Sequence, residues 1–516
     1  MRARFRATPV ARAAVCALAC VIGCAATRPA AAQASPYLPL DDSRVPLLEH
    51  LITRGDVDDP SPMLRPFRFA DAARVLAAAD TAPATGTGAE IHRLRLAFTE
   101  DTAPSRWEAE VSAGGQAFTQ RRRDVFHLGG NGGVEPYGEI GARGAIGPVA
   151  YASRVAVEPR LFGDPDWPNG PRPGREHEHV VARLADGYLS AQFKFGSLEY
   201  GQLLRNWGPV GLPGISLSDY GYQRQGLALH LGAGPVRLDA IASDLRSGLD
   251  STGSVINRYL IVHRLEGRLT HKFRLALWEA IIIAGRGRVL ETPFANPLSP
   301  SVLANTFGID DLNSNDMIGA DLHWRADRRL TIEAQLALDD FQFNNRNLTP
   351  DRWAFTVGAS GPLGGRLAWR ALYTQVSSLA LRTADSTENF TDAGVGTGRT
   401  FTDLDLALVS VSVPVAGSFL VSPELALLRQ GEGRINDPFP ARNAAGEVTV
   451  PGLFIGTVAH TYRAGLRVSG RRGPFDLAAD AGLNHVTNDQ NQPGVTANRF
   501  VAHVQATLAW RRRGRF

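Results

Sequence analysis

The chain has 516 residues, is 44% hydrophobic and 21% charged, and carries a formal net charge of +4. Five arginines and no acid lie in the first 34 residues, so taking those five charges from +4 leaves −1 for a chain that starts at Ser35. The basic balance therefore belongs to the leader and gives no footprint for nucleic acid.

The leader is read first. Arg2, Arg4, Arg6 and Arg12 make a basic start, and Ala13 to Ala26 form an apolar run too short to span a bilayer. Ala32-Gln33-Ala34 supplies a small-x-small cleavage site, so residues 1–34 are expected to be a secretory signal peptide. A second reading of the same segment places a lipid on Cys24, after Val21-Ile22-Gly23. All three cysteines (Cys16, Cys20, Cys24) lie in this leader. Cleavage after Ala34 would leave neither a disulfide framework nor a thiolate metal site. No later stretch has eighteen or more consecutive apolar residues, so no transmembrane helix is expected.

Residues 35–104 are expected to form a small periplasmic helical plug domain. Val45, Leu47, Leu48, Leu51 and Ile52 recur at helical spacing and Gly55 ends the run. A second short helix follows Pro66 around Arg74 to Leu76, and a third covers Ile91 to Phe98.

From Trp107 the period becomes two, and residues 105–516 are expected to be barrel. Leu330, Ile332, Ala334, Leu336 and Leu338 alternate with Thr331, Glu333, Gln335 and Asp339; Trp353, Phe355, Val357 and Ala359 alternate with Ala354, Thr356 and Gly358. Such alternation marks strands with one apolar and one polar face. Short turns are expected at Gly147-Pro148, Gly196-Ser197, 232–235, 270–272, 326–328, 361–364, 414–417 and 472–474. Longer polar segments fall between them, at about 120–135, 158–177, 206–223, 244–255, 287–316, 341–351, 377–400, 430–456 and 487–497. Long and short connections alternate strictly, nine against eight, which gives about eighteen strands. An even number of antiparallel strands with short periplasmic turns and long external loops describes an all-β transmembrane antiparallel barrel in the outer membrane. Only closed barrels and helices satisfy every backbone group in lipid. In the last strand Phe500, Ala502, Val504, Ala506, Leu508 and Trp510 share one face, and Phe516 ends the chain in phase with them.

Catalytic motifs are absent: the chain has no His-Glu-x-x-His, no Gly-x-Ser-x-Gly and no phosphate loop. Gly214-Ile215-Ser216-Leu217-Ser218 stops one glycine short of a nucleophile elbow. Asp310 to Asp316 offers carboxylates and amides to a hard cation, but its spacing fits no known loop pattern. Neither an enzyme nor a cofactor is expected. The polar strand faces, among them Glu108, Glu110, Glu139, Arg143, Arg237, Asp239, Glu333, Gln335, Asp339, Arg366, Arg370, Asp403, Asp405, Asp476 and Asp480, are expected to point into the lumen. Loop aromatics (Phe162, Trp167, Tyr220, Phe307, Phe390, Phe439, Phe454) offer faces for sugar stacking or for packing a plug.

Several short motifs coincide with one family. Val45 to Gly55 ("VPLLEHLITRG"), Leu64 to Leu76 ("LRPFRFADAARVL"), Leu203 to Tyr222, His263 to Leu269, Asn296 to Leu298 and Leu338 to Phe343 fall in its order and spacing. The chain resembles the capsule assembly Wzi family of outer-membrane proteins over nearly all of its length after the leader. It departs from the family at Val210, where glycine is usual, and in loop lengths. The resemblance implies an eighteen-stranded barrel with a helical plug, acting as a lectin in attaching capsular polysaccharide to the cell surface. The expected partners are capsular or exopolysaccharide and outer-membrane lipid, and the expected state is a monomer.

The competing readings are a substrate-selective porin and a barrel hydrolase drawing on Ser216, Ser218 or His230. The segment "RNWGPVGLPGISLSDYG" (Arg205 to Gly221) carries Trp and Leu among its Gly and Pro, and Pro209 and Pro213 deny it ladder hydrogen bonds. It is expected to fold into the lumen, with Arg205, Asp219 and Tyr220 touching lumen charges. The residues expected to bind polysaccharide or line the lumen are Arg205, Trp207, Asp219, Tyr220, Glu333, Asp339, Arg366 and Arg370.

Overall fold

Alternating faces close into a cylinder. The computed structural model describes residues 34–79, 87–100, 105–121, 123–130, 132–168, 181–249, 252–301, 314–340 and 348–516. Residues 1–33 of the leader, most of the Asp310 to Asp316 segment, Phe307 and the end of the Leu338 to Phe343 motif lie outside those residues. Eighteen antiparallel strands, from Arg106–Phe118 to Thr496–Arg515, form one closed sheet. Each pairs with its sequence neighbours, and the first and last strands pair from Arg106↔Arg515 to Phe118↔His503. No helix among the described residues is long and apolar enough to cross a membrane.

The faces sort as the period predicts. Leu336, Val357, Leu425, Leu483, Leu508 and Trp510 are exposed on the outer wall, whereas Gln335, Thr356 and Asp480 face inward. Aromatic side chains collect near both rims of the exposed wall. Phe195, Trp324, Phe475, Trp510 and Phe516 lie toward the end of short turns, and Tyr373, Tyr462 and Phe500 toward the end of long loops. Rings at these two heights match the interfacial girdles of membrane barrels.

Two turns sit away from their expected places. The hairpin expected at Gly196-Ser197 turns at 194–195. That expected at 361–364 turns at 365–366, because Pro362 is accommodated at a bulge and the strand continues to Gly364. Gly365, at φ 52, then takes the left-handed conformation the turn requires. Arg366 is consequently a turn residue rather than one on a strand's lumen face. The connection expected at 244–255 is also shorter, since one strand runs to Leu249 and the next begins at Val255.

Three helices precede the barrel: α1 (Val45–Arg54), α2 (Phe69–Ala79) and α3 (Thr87–Glu100). Gly55 ends α1 in the left-handed region, its N–H donating to the Ile52 carbonyl at 2.8 Å. Leu48, Leu51, Phe69, Leu76, Leu94 and Phe98 form a buried cluster that takes in Leu420 from the barrel wall. The helices pack mainly on one another and share this cluster with the barrel wall at Leu420. α1 lies against the inner wall of the strands Arg352–Gly364 to Ala459–Arg472. Within the N-terminal segment, buried Arg65 holds Glu49 of α1 at 2.5 Å and Asp59 at 2.9 Å, and the wall reaches this segment through Arg154, which holds Asp41 just before α1 at 2.8 Å.

Candidate functional site: a filled lumen and its cap

The segment 203–224 folds inward. Trp207 is 2% exposed and Ile215 1%, and Leu212 and Leu217 are buried with them among wall residues such as Trp278 and Leu372. The prolines keep the segment off the barrel sheet, but a short ladder forms just before them. Asn206–Trp207 pairs with Leu64–Arg65 of the N-terminal segment, and the Gly208 N–H donates to the Met63 carbonyl at 2.8 Å. Plug and inward loop thus meet inside the barrel. Gln335 on the wall locks the loop: its Oε1 accepts from the Ile215 N–H at 2.7 Å, and its Nε2 donates to the Trp207 carbonyl at 3.0 Å and to Asp321 at 2.9 Å.

A second connection, 377–403, fills the lumen above it. Ser377, Leu379, Leu381, Phe390, Val395, Thr402 and Asp403 are all buried. The two inward loops touch where only glycine fits, since a Cβ on Gly398 would lie 1.8 Å from the Ile215 carbonyl oxygen. Ser218 donates to the Gly398 carbonyl at 2.6 Å, and its N–H donates to the Thr397 carbonyl at 3.0 Å. Arg399 is buried with its guanidinium on Thr356 Oγ1 at 2.8 Å, and burial alone pushes it down to about 10.

The outermost layer is built on Asp403. Its carboxylate accepts from the N–H groups of Gly433 (2.9 Å), Phe454 (2.6 Å) and Ile455 (3.0 Å), which gathers both ends of the connection 431–458. Arg382 donates to the carbonyls of Arg434 (2.9 Å) and Asp437 (3.3 Å). On the outside of this layer Asn436, Arg442 and Asn443 are exposed. Phe439 and Phe454 are half-buried, beneath the guanidinium groups of Arg352 (6.0 Å) and Arg429 (5.0 Å). Phe390 and Trp167 are buried, so packing accounts for them.

The expected site residues are distributed along the whole lumen. Arg205 pairs with buried Glu199 at 2.5 Å. Tyr220 donates to the Asp124 carbonyl at 2.5 Å, and Arg123 both bonds its carbonyl and lies 5.4 Å over its ring. Asp339 accepts from the Leu381 N–H at 3.0 Å under the cap, and Glu333 faces His323 at 3.4 Å. Arg366 pairs with Glu90 of α3 at the turn end, and Arg370 donates to Thr53 of α1 at 2.9 Å. Only Asp219 and Arg370 line one space together, a chamber of about 390 Å³ between α1, the inward loop and the wall. Contrary to expectation, Asp219 makes no ion pair among the described residues. Burial holds its carboxyl up at about 6.

A second lumen assignment, after that of Arg366, is overturned. Asp405 lies on the same face of its strand as Ala407 and exposed Val409, while Leu404, Leu406 and Leu408 fill the interior. It sits at the outer rim, where Tyr373 donates to it at 3.1 Å and Arg429 at 2.9 Å. The alternation of this strand is inverted because the inward loop 377–403 gives it an apolar interior to face. Two lumen-facing residues, Glu49 and His50, went unrecognised; their signal was polar side chains interrupting the apolar stripe of α1. Ser218 and His230 are engaged separately, the latter with Asp239 at 2.6 Å. Among the described residues no group of three or more potential ligands could hold a metal ion.

No family profile matches the chain, and no curated protein matches it. Solved structures do. Wzi of Escherichia coli, an outer membrane protein involved in group 1 capsule assembly and described as a carbohydrate-binding β-barrel, aligns with a TM-score of 0.61 at 14% identity, over 94% of this chain and 100% of that one. OprD of Pseudomonas aeruginosa aligns with a TM-score of 0.43 at 8% identity, over 79% and 95%. OccAB4 of Acinetobacter baumannii aligns with 0.43 at 10% identity, over 80% and 99%. At 14% identity the likeness to Wzi is one of fold, and on that fold the chain is an eighteen-stranded β-barrel of the outer-membrane type.

Proposed function

We propose that the protein sits in the outer membrane and binds capsular or exopolysaccharide at the cell surface through its capped loop end, as a lectin that assists assembly rather than as an enzyme. The observation that carries this reading is the filling of the lumen. Three connections (203–224, 377–403 and 431–458) are tied to one another and to the wall by buried hydrogen bonds, so the outer face of the cap is the surface left for work. That face offers what sugar recognition uses: rings at Phe439 and Phe454 beside guanidinium and amide groups. The motif order shared with the Wzi family, and the carbohydrate binding attributed to Wzi itself, support the same reading. Titrating the host's own surface polysaccharide onto the purified barrel tests it. Saturable binding is expected, and Phe454→Ala with Arg442→Ala should weaken it about tenfold; no binding to that polysaccharide sinks the proposal.

A further inference from the structure

The chamber beside α1 is a second feature that packing alone does not explain. Its volume of about 390 Å³ falls in the range of small-molecule sites. It exists because Ser410, Ser412, Ser422 and Ser469 put small side chains on the wall where larger ones would fill the space.

The charges around it are unevenly matched. Arg467 is neutralised by Glu424 at 3.2 Å and Asp480 at 2.8 Å, and Arg65 by Glu49 and Asp59. Two lining charges have no ion-pair partner among the described residues. Arg370 has the Thr53 hydroxyl at 2.9 Å and no carboxylate, and Asp219 has no cation. His50 completes the set: it is 3% exposed, shares a hydrogen bond of 2.7 Å with Ser412 through Nδ1, and makes none through Nε2. The other charges lining the chamber, Arg467 and Arg65, are paired. The carboxylates that act on Arg370, Glu333 and Glu49, stand beyond ion-pair distance, so the guanidinium is only partly compensated, and an anion taken into the chamber offsets the remaining cost.

We propose that this chamber binds a small hydroxylated carboxylate, with the acid on Arg370 and the hydroxyls on Asp219, His50 and the serines. This site is separate from the cap and goes beyond polysaccharide binding.

The test is calorimetric titration of the full chain in detergent with D-gluconate, sorbitol (hydroxyls without the acid) and hexanoate (the acid without hydroxyls). Gluconate should bind saturably at one site, with sorbitol and hexanoate at least tenfold weaker. Arg370→Met should cost gluconate at least tenfold, and Ser412→Trp, which fills the space, should abolish binding. Heat-modifiable gel mobility reports whether each variant folds, and Asp219→Asn stands in for either that does not. No saturable gluconate binding, equal binding of sorbitol, or binding unchanged in the folded variants overturns the proposal. The titrant is monomeric and no polysaccharide is present, so failure here leaves the reading of the cap standing.

Discussion

Gln335 shows how much of this lumen depends on single polar side chains. One amide satisfies the Ile215 N–H, the Trp207 carbonyl and Asp321 at once. Truncation strands buried groups that were paired, at about 1–3 kcal/mol. Gln335→Ala should therefore lower the denaturant midpoint by an amount equivalent to about 2–3 kcal/mol, while Gln335→Glu, which cannot donate to Trp207, should not restore it. Asp219 gives a pH dependence of known sign. Its folded carboxyl is raised from 3.8 to about 6, so the folded state takes up a proton that the unfolded state releases between those values. Below about pH 3 both states are protonated; above about pH 7 the buried charge is a full cost. Asp219→Asn should match wild type near pH 3 and exceed it by about 3 kcal/mol above pH 7 in paired denaturation curves. The inward direction of Gln335 was legible from alternation, but its partners were not. Asp321 is its cross-strand neighbour, but Ile215 and Trp207 come from a loop 120 and 128 residues away, and no local pattern encodes where that loop lands.

At the scale of elements, strands were legible and loops were partly so. Period-two patterning is a property of one segment facing lipid on one side and polar groups on the other, and it located the strands that face water or polar plug residues. It failed at Asp405, where an apolar loop replaces the polar lumen and the strand's interior face becomes leucine. Trp and Leu within a Gly- and Pro-rich segment did announce that 203–224 is buried; its pairing with Leu64–Arg65 was not announced, since a two-residue ladder leaves no periodic trace. Trp207→Ala removes a large buried ring, at about 3–5 kcal/mol, and should free the loop from the plug. The outer layer rests on fewer contacts. Removing the Asp403 carboxylate releases three N–H groups of 431–458, so Asp403→Ala should speed proteolytic nicking within 436–446 severalfold and leave the barrel band intact on gels.

For the whole molecule, the porin and lectin readings diverge on whether the lumen conducts. With α1 seated on the wall and two connections packed above it, the barrel should show no steady ion conductance in planar bilayers, and deleting 206–219 should open one. Steady conductance by the intact chain would favour a porin. The most direct measurement, however, is made on the ligand: the host's surface polysaccharide titrated onto the intact purified barrel, beside one whose 436–446 tip is replaced by a short glycine-serine link. The account predicts saturable binding by the intact barrel and at least a tenfold loss without the tip. Absence of binding by the intact barrel, or binding unchanged by removal of the tip, contradicts it.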